Sequence, residues 1–316
     1  NPVAQDSVKF FTKGDITNQV FSVEEILVRQ TCECVGECTC DNPCEETYND
    51  DRFSSTEKIM MRSGRIDMIK RGNFGFEPVL NGMSSDRMNI TIDGMKIFGA
   101  CTDKMDPVTS YIETNNLKNF TIQNGAAGAK YGSSIAGSVN METTGATITG
   151  TSAWRGEIGA GYNSVANGYN TLLSLNKSSE KWAVNLNGVY RNFDSYKVGG
   201  GEVLPFSYFE KWNGALSAKY KASERDYLSA DIIIDEGYNI GYPALPMDVG
   251  FAKAKIFGLT YLTYPRSENV DKITFKLYGN TVAHAMDDTK RPHVHMHMDM
   301  PGWTTTYGAF ADAEMS

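Results

Sequence analysis

No run of about 18 apolar residues occurs anywhere in this 316-residue chain, so no segment is built to cross a bilayer as a helix. That absence leaves strands open, because a barrel strand shows lipid only every second residue and dilutes its hydropathy. Basic residues are outnumbered, 30 against 38, for a net charge of −8, and they form no block. A nucleic-acid partner is excluded on that ground. Histidine is scarce, and all 4 lie between positions 284 and 297. None is left elsewhere for a hydrolytic triad, no G-x-S-x-G or Walker loop occurs, and no enzyme activity is expected. No signal peptide precedes Asn1, which is read as a mature or trimmed N-terminus.

What the chain does have is glycine and aromatics: 30 Gly, 16 Tyr and 15 Phe, suited to β-structure with many tight turns. From Ala153 onward it falls into alternating segments of about ten residues, the size of transmembrane β-strands. Trp154, Ile158 and Tyr162 share one face against Arg155 and Glu157. Trp182, Leu186 and Tyr190 repeat the pattern against Asn185, Asn187 and Arg191, as do Trp212, Leu216 and Tyr220 against Asn213, Ser217 and Lys219. Leu228, Ile232 and Ile234 oppose Ser229 and Asp231. After a first hairpin at Asn163–Gly168, short links (Ser178–Lys181, Ala222–Asp226) alternate with long ones (Asp194–Pro205, Gly237–Phe251). Outer-membrane barrels alternate short periplasmic turns with long external loops in this way. If the first strand runs outward, the seventh, Asp271–Met286, ends outside.

Residues 1–150 read differently. Ser54-x-x-Glu57 ahead of Ile59, Met60 and Met61 predicts a capping box opening a short helix. Arg87–Ile97 predicts a hairpin turning on Asp93-Gly94. Ala129–Met141 supplies glycines for bends before a further strand, and Gly72 and Gly75 read as framework rather than a phosphate cradle.

Two short motifs carry the chemistry, Cys101-x3-Met105 and His284-x-Met286. Singly each has a bland reading: a buried thiol, core methionines, a hydrogen-bonded histidine. Together they offer three sulfur donors and one imidazole, a soft set that selects copper, above all Cu(I), over magnesium, calcium or manganese. Cys101 and Met105 are placed at the start of a helix, where residues four apart are neighbours, although Asp106-Pro107 shortens or restarts it. His284 and Met286 share a strand face with Lys272, Thr274, Lys276 and Asn280, opposite Ile273, Phe275, Leu277 and Ala283. They would point into a polar lumen. Beyond them, His293, His295, Met296, His297, Met298 and Met300 form a possible secondary metal tract on an external loop, either a collector of copper or a solvated loop. Cys32, Cys34, Cys38, Cys40 and Cys44 fit no zinc-ribbon spacing. Two disulfides with a spare thiol, and soft-metal binding, both remain open for them.

The order Ile92-Asp93-Gly94, Ile112-Glu113, Tyr131-Gly132 and Gly137–Met141 resembles the plug domain of TonB-dependent outer-membrane receptors. Phe21–Val28 looks like the energy-coupling box that precedes such plugs. The run from Asp93 through Cys101, Met105 and Pro107 to Tyr111, with His284 and Met286, resembles the copper-binding subgroup, in which plug Cys-x3-Met and barrel His-x-Met form the metal site. The resemblance covers most of residues 20–286. It implies a mixed α/β plug followed by the first strands, about eight, of an antiparallel transmembrane β-barrel. It divides the chain into an N-terminal segment (1–50), a plug (51–150) and a partial barrel (151–316). It also implies copper as bound substrate, a TonB-type coupling protein and outer-membrane lipid as partners, and the outer membrane of a Gram-negative bacterium as the location. A plugged barrel of 22 strands needs about 400 residues or more, so the chain is expected to be C-terminally truncated. The competing readings are a receptor for a metal chelate of siderophore type, which a Cys/Met apex disfavours, and a copper-sequestering surface protein without transport.

Overall fold

A computed structural model describes residues 53–125, 132, 134–267, 269–292 and 296–315, with the backbone of 26–30 and 44–48. Two strands, β1 (Ile26–Gln30) and β2 (Cys44–Tyr48), pair antiparallel with each other. Helix α1 (Thr56–Arg62) leads into the hairpin β3 (Asp67–Lys70) and β4 (Phe76–Val79). Then come β5 (Met88–Ile92), β6 (Met95–Lys96), β7 (Leu117–Asn124) and β8 (Gly137–Thr143), giving a six-stranded sheet in the order β2-β1-β7-β8-β5-β6. Its core is apolar: Ile59, Met60, Ile92, Phe120, Val139 and Met141 are all shut from solvent. The expected Asp93-Gly94 turn closes β5 on β6, both residues at positive φ (49° and 75°), as a two-residue hairpin requires. The Asp93 carboxylate also accepts from the Thr143 N–H at 2.8 Å and its hydroxyl at 2.7 Å, fastening the turn to β8.

The expected capping box is corrected by one residue. Ser55, not Ser54, is the N-cap, and its side chain makes no capping bond. Ser54 instead offers its carbonyl to Arg191 and to the Thr114 hydroxyl. Glu57 is buried, and desolvation raises its carboxyl above the usual range. Tertiary anchoring, such as the Thr56 hydroxyl on the Ile112 carbonyl at 2.6 Å, holds this two-turn helix in place.

The second unit is a sequential antiparallel sheet of eight strands. They are β9 (Ala153–Asn163), β10 (Gly168–Ser178), β11 (Trp182–Phe193), β12 (Phe209–Lys221), β13 (Asp226–Ile240), β14 (Asp248–Thr263), β15 (Lys272–Asp287) and β16 (Asp299–Glu314). Lengths grow from 11 residues in β9 to 16 in β16, at or beyond the roughly 9–11 needed to cross hydrocarbon. Their outer face is apolar and exposed, with Trp154, Ile158, Trp212 and Leu277 among its side chains. The inner face is buried against the plug where Ala215, Ile233, Ile256 and Val282 join its apolar core, with polar side chains set among them. Asn213 donates to the Tyr111 carbonyl at 3.1 Å, Asn280 to that of Lys96 at 3.0 Å, and Lys276 to that of Asp93 at 3.1 Å. Wall amides and ammonium groups thus take up plug carbonyls that no plug strand pairs. The link expected at Gly237–Phe251 is shorter, because β13 runs on to Ile240 and β14 begins at Asp248.

Candidate metal centre

Cys101 and Met105 do not open a helix. Residues 101–106 form an irregular turn, and a 3-10 turn at Val108–Tyr111 follows Pro107. Lys104 adopts φ 54°, which no helix allows, and its ammonium is tied to Asp86 at 2.7 Å. The turn closes on the cysteine itself: the Lys104 N–H reaches the Cys101 carbonyl, and the Met105 N–H reaches Cys101 Sγ at 3.4 Å. The β3–β4 hairpin packs against this turn at Gly75, where a Cβ would lie 2.9 Å from the Pro107 ring and 3.2 Å from the Met105 carbonyl. From the wall side, the Tyr242 hydroxyl donates to that same carbonyl.

His284 and Met286 lie on β15, the seventh strand of the wall, with inward-facing Lys276 and Asn280. Their register partners are Ala252 and Val249 on β14, and Gly302 and Met300 on β16. Small neighbours on β14 and β16 leave the imidazole room to meet the plug. Cys101, Met105, His284 and Met286 are each at most 4% exposed. The three sulfur residues pack in one cluster with Phe74, Phe209, Tyr242 and Met247. Donor atoms of Cys101, His284 and Asp106 all lie within 4.8 Å of one another. His284 Nδ1 approaches Asp106 Oδ1 to 3.1 Å, yet neither atom, nor His284 Nε2, has a formed hydrogen bond. Buried polar atoms this little satisfied, with the Cys101 thiol among them, suit a cation.

Asp106 and Met247 were not read from the sequence as part of the site. Asp106 was read only as shortening the turn after Met105; Met247 lies in a link without periodicity and carried no signal. Of the secondary tract, His293 and His295 lie outside the described residues. Met296 and Met298 are exposed in the β15–β16 link, Met300 is the second residue of β16 and pairs with Met286, and His297 Nδ1 lies 3.0 Å from Asp288. Cys32, Cys34, Cys38 and Cys40 also lie outside the described residues, and Cys44 opens β2. Of the Phe21–Val28 stretch, only Ile26–Val28 is described, within β1, where Leu27 and Val28 pair in parallel with Asn119 and Phe120 of β7.

Residues 50–139 match the family model of the TonB-dependent receptor plug domain. Among solved structures, the copper transporter OprC superposes with a TM-score of 0.73 at 24% identity, over 80% of this chain and 39% of that one. The FrpB iron transporter from Neisseria meningitidis (F3-3 variant) gives 0.65 at 14% identity, over 83% and 44%. The siderophore receptor PirA from Acinetobacter baumannii gives 0.55 at 14%, over 78% and 41%. No curated protein matches in sequence. The chain spans 39% to 44% of the length of these three structures, and the likeness is one of fold. The chain thus has the fold of a TonB-dependent receptor plug, which residues 50–139 also match in sequence, followed by β9–β16 as the antiparallel strands of a partial barrel.

Proposed function

We propose that this chain belongs to an outer-membrane receptor that binds and imports copper ions, with Cys101, Met105, His284 and Met286 as donors. One observation carries the reading. Two motifs some 180 residues apart, one in the plug and one in the wall, are buried together: the three sulfur residues pack in one cluster, and a His284 ring nitrogen lies within 4.8 Å of Cys101 Sγ. Thiolate, thioether and imidazole donors suit Cu(I), with Cu(II) possible at the same imidazole. The OprC likeness points the same way. The ion is cargo, and the protein's part is to bind it rather than to make or break covalent bonds. Uptake would be driven through a TonB-type protein acting on the Phe21–Val28 stretch.

The test is metal analysis of the purified full-length receptor. One copper per chain is expected in the parent, and loss of it in a Cys101→Ser, Met105→Ala double variant. Stoichiometric copper in that variant would remove the site. Iron and siderophore proteins are also similar in fold. A chelate receptor would take up a ferric chelate as well as it takes up copper, whereas this reading expects copper alone. Energised uptake with residues 21–28 deleted separates import, which stops, from sequestration, which does not.

A further inference from the structure

Asp106 stands between Met105 and Pro107, 2% exposed, with its carboxylate set between His284 and Tyr111. We propose that Asp106 is the positioning residue of the copper site: its Oδ1 takes the Nδ1 proton of His284, so that the imidazole presents its Nε2 lone pair to the ion shared with Cys101. The proposal rests on the copper reading above.

The carboxylate is held from behind. The Tyr111 hydroxyl lies 3.2 Å from Asp106 Oδ2 and 3.0 Å from the Asp106 carbonyl, donating to both. Burial, and then the neighbouring Asp106 charge, hold the Tyr111 phenol well above its ordinary range, so it remains a donor throughout the physiological range. With Oδ2 engaged, Oδ1 is the oxygen turned to the imidazole, at 3.1 Å from Nδ1 and with no other hydrogen-bond partner. A neutral imidazole has one N–H and one lone pair. Were the proton on Nε2, the Nδ1 lone pair would face the carboxylate lone pairs at that distance. A proton on Nδ1 removes the repulsion, strengthens the basicity of Nε2 and fixes the plane of the ring. As a direct ligand Asp106 would be a hard oxygen among soft sulfurs, the poorer match for Cu(I). The orienting group also belongs to the plug and the oriented ring to the wall. His284 is therefore set for binding only while the plug is docked.

The experiment compares the full-length receptor with Asp106→Ala, Asp106→Asn and Cys101→Ser. Cu(I) affinity is read by competition with a chromophoric chelator, and Nδ1 protonation of His284 by 15N imidazole shifts in metal-free protein at a pH where the ring is neutral, assigned with His284→Gln. Asp106→Ala should bind Cu(I) about 10- to 100-fold more weakly, the usual cost of losing such a partner. Asp106→Asn should recover most of that, because its amide oxygen accepts the same proton. Nδ1 should be protonated in the parent and in Asp106→Asn, and the proton should move to Nε2 in Asp106→Ala. Parent-like affinity in Asp106→Ala, or an unaltered Nδ1 proton in it, would overturn the proposal. So would Asp106→Asn binding as weakly as Asp106→Ala with Nδ1 still protonated, which would make the carboxylate a ligand. Copper retained by Cys101→Ser would instead overturn the copper reading, and the metal-free shifts would still decide what Asp106 does to His284.

Discussion

Glu113 of the plug lies 2.8 Å from the Lys211 ammonium of β12, and both side chains are almost wholly buried. Arg191 of β11 closes on the other Glu113 oxygen, and Lys211 also reaches Asp235 of β13 at 3.1 Å. A plug carboxylate thus sits between two wall cations. Removing one partner from a buried pair costs about 3–5 kcal/mol, because the surviving charges lose their compensation. Glu113→Ala should loosen plug docking by about that much. The measurement is the urea concentration at which protease begins to cut the plug, which should fall while the barrel stays intact. An unchanged threshold would show that the wall cations find other partners.

Gly302 allows a close approach on which the site depends. It is the register partner of His284, and a Cβ there would lie 2.6 Å from the Ala100 carbonyl, one residue before Cys101. Two residues on, the Thr304 hydroxyl donates to the Phe98 carbonyl at 2.6 Å, so β16 grips this stretch of plug. Gly302→Ala should push Cys101 away from His284 at a cost of about 1–3 kcal/mol, typical of overpacking. Copper affinity should fall although no donor has changed, and titration of the variant reads it directly. Parent-like affinity would mean that the turn moves without disturbing Cys101.

Copper should stabilise the docked plug, since an ion that binds only the docked state shifts the equilibrium by mass action. At free copper 1,000 times the dissociation constant, the gain is about 4 kcal/mol. His284→Ala and Met286→Ala should each shrink the copper-induced rise in plug unfolding temperature. If both keep the full rise, β15 supplies no donor.

The His293–Met300 tract should govern capture rather than holding. Met296 is 76% exposed and Met298 48%, whereas Met286, beside Met300 in register, is 2% exposed. Replacing the three histidines and three methionines of the tract should slow copper loading at limiting free metal and leave equilibrium content nearly unchanged. Equal loading rates would return the tract to an ordinary loop. Copper lost at equilibrium would make it part of the main site.

The wall was legible because lipid on one side and plug on the other impose a period of two. Trp154, Trp212 and Leu277 face outward, and Asn213, Asn280 and His284 inward, as the alternation requires. The Asp93-Gly94 turn was legible because its positive φ values need those residue types. Cys101–Met105 was misread as a helix start, since its turn is held by tertiary and sulfur contacts that have no sequence period: Lys104 on Asp86, the Met105 N–H on Cys101 Sγ, Tyr242 from the wall. Ser54 was misread as the cap because its carbonyl is claimed by Arg191, 137 residues away. Asp106 was not read as part of the site for a chemical reason. A hard carboxylate has no place in a search for soft donors, and what gives it meaning is a histidine on another unit.

In the proposed site, splitting the donors between a plug turn and a wall strand makes occupancy and docking a single variable. Neither half, Cys101 with Met105 or His284 with Met286, offers more than a two-donor chelate. A shift of the turn by about one metal–thiolate bond length, roughly 2.3 Å, would leave each half holding the ion weakly enough for outside thiols to compete. Release then needs no protonation and no change of oxidation state. Displacing the Cys101–Met105 turn from β15 is enough, and a force applied elsewhere on the plug could deliver that displacement.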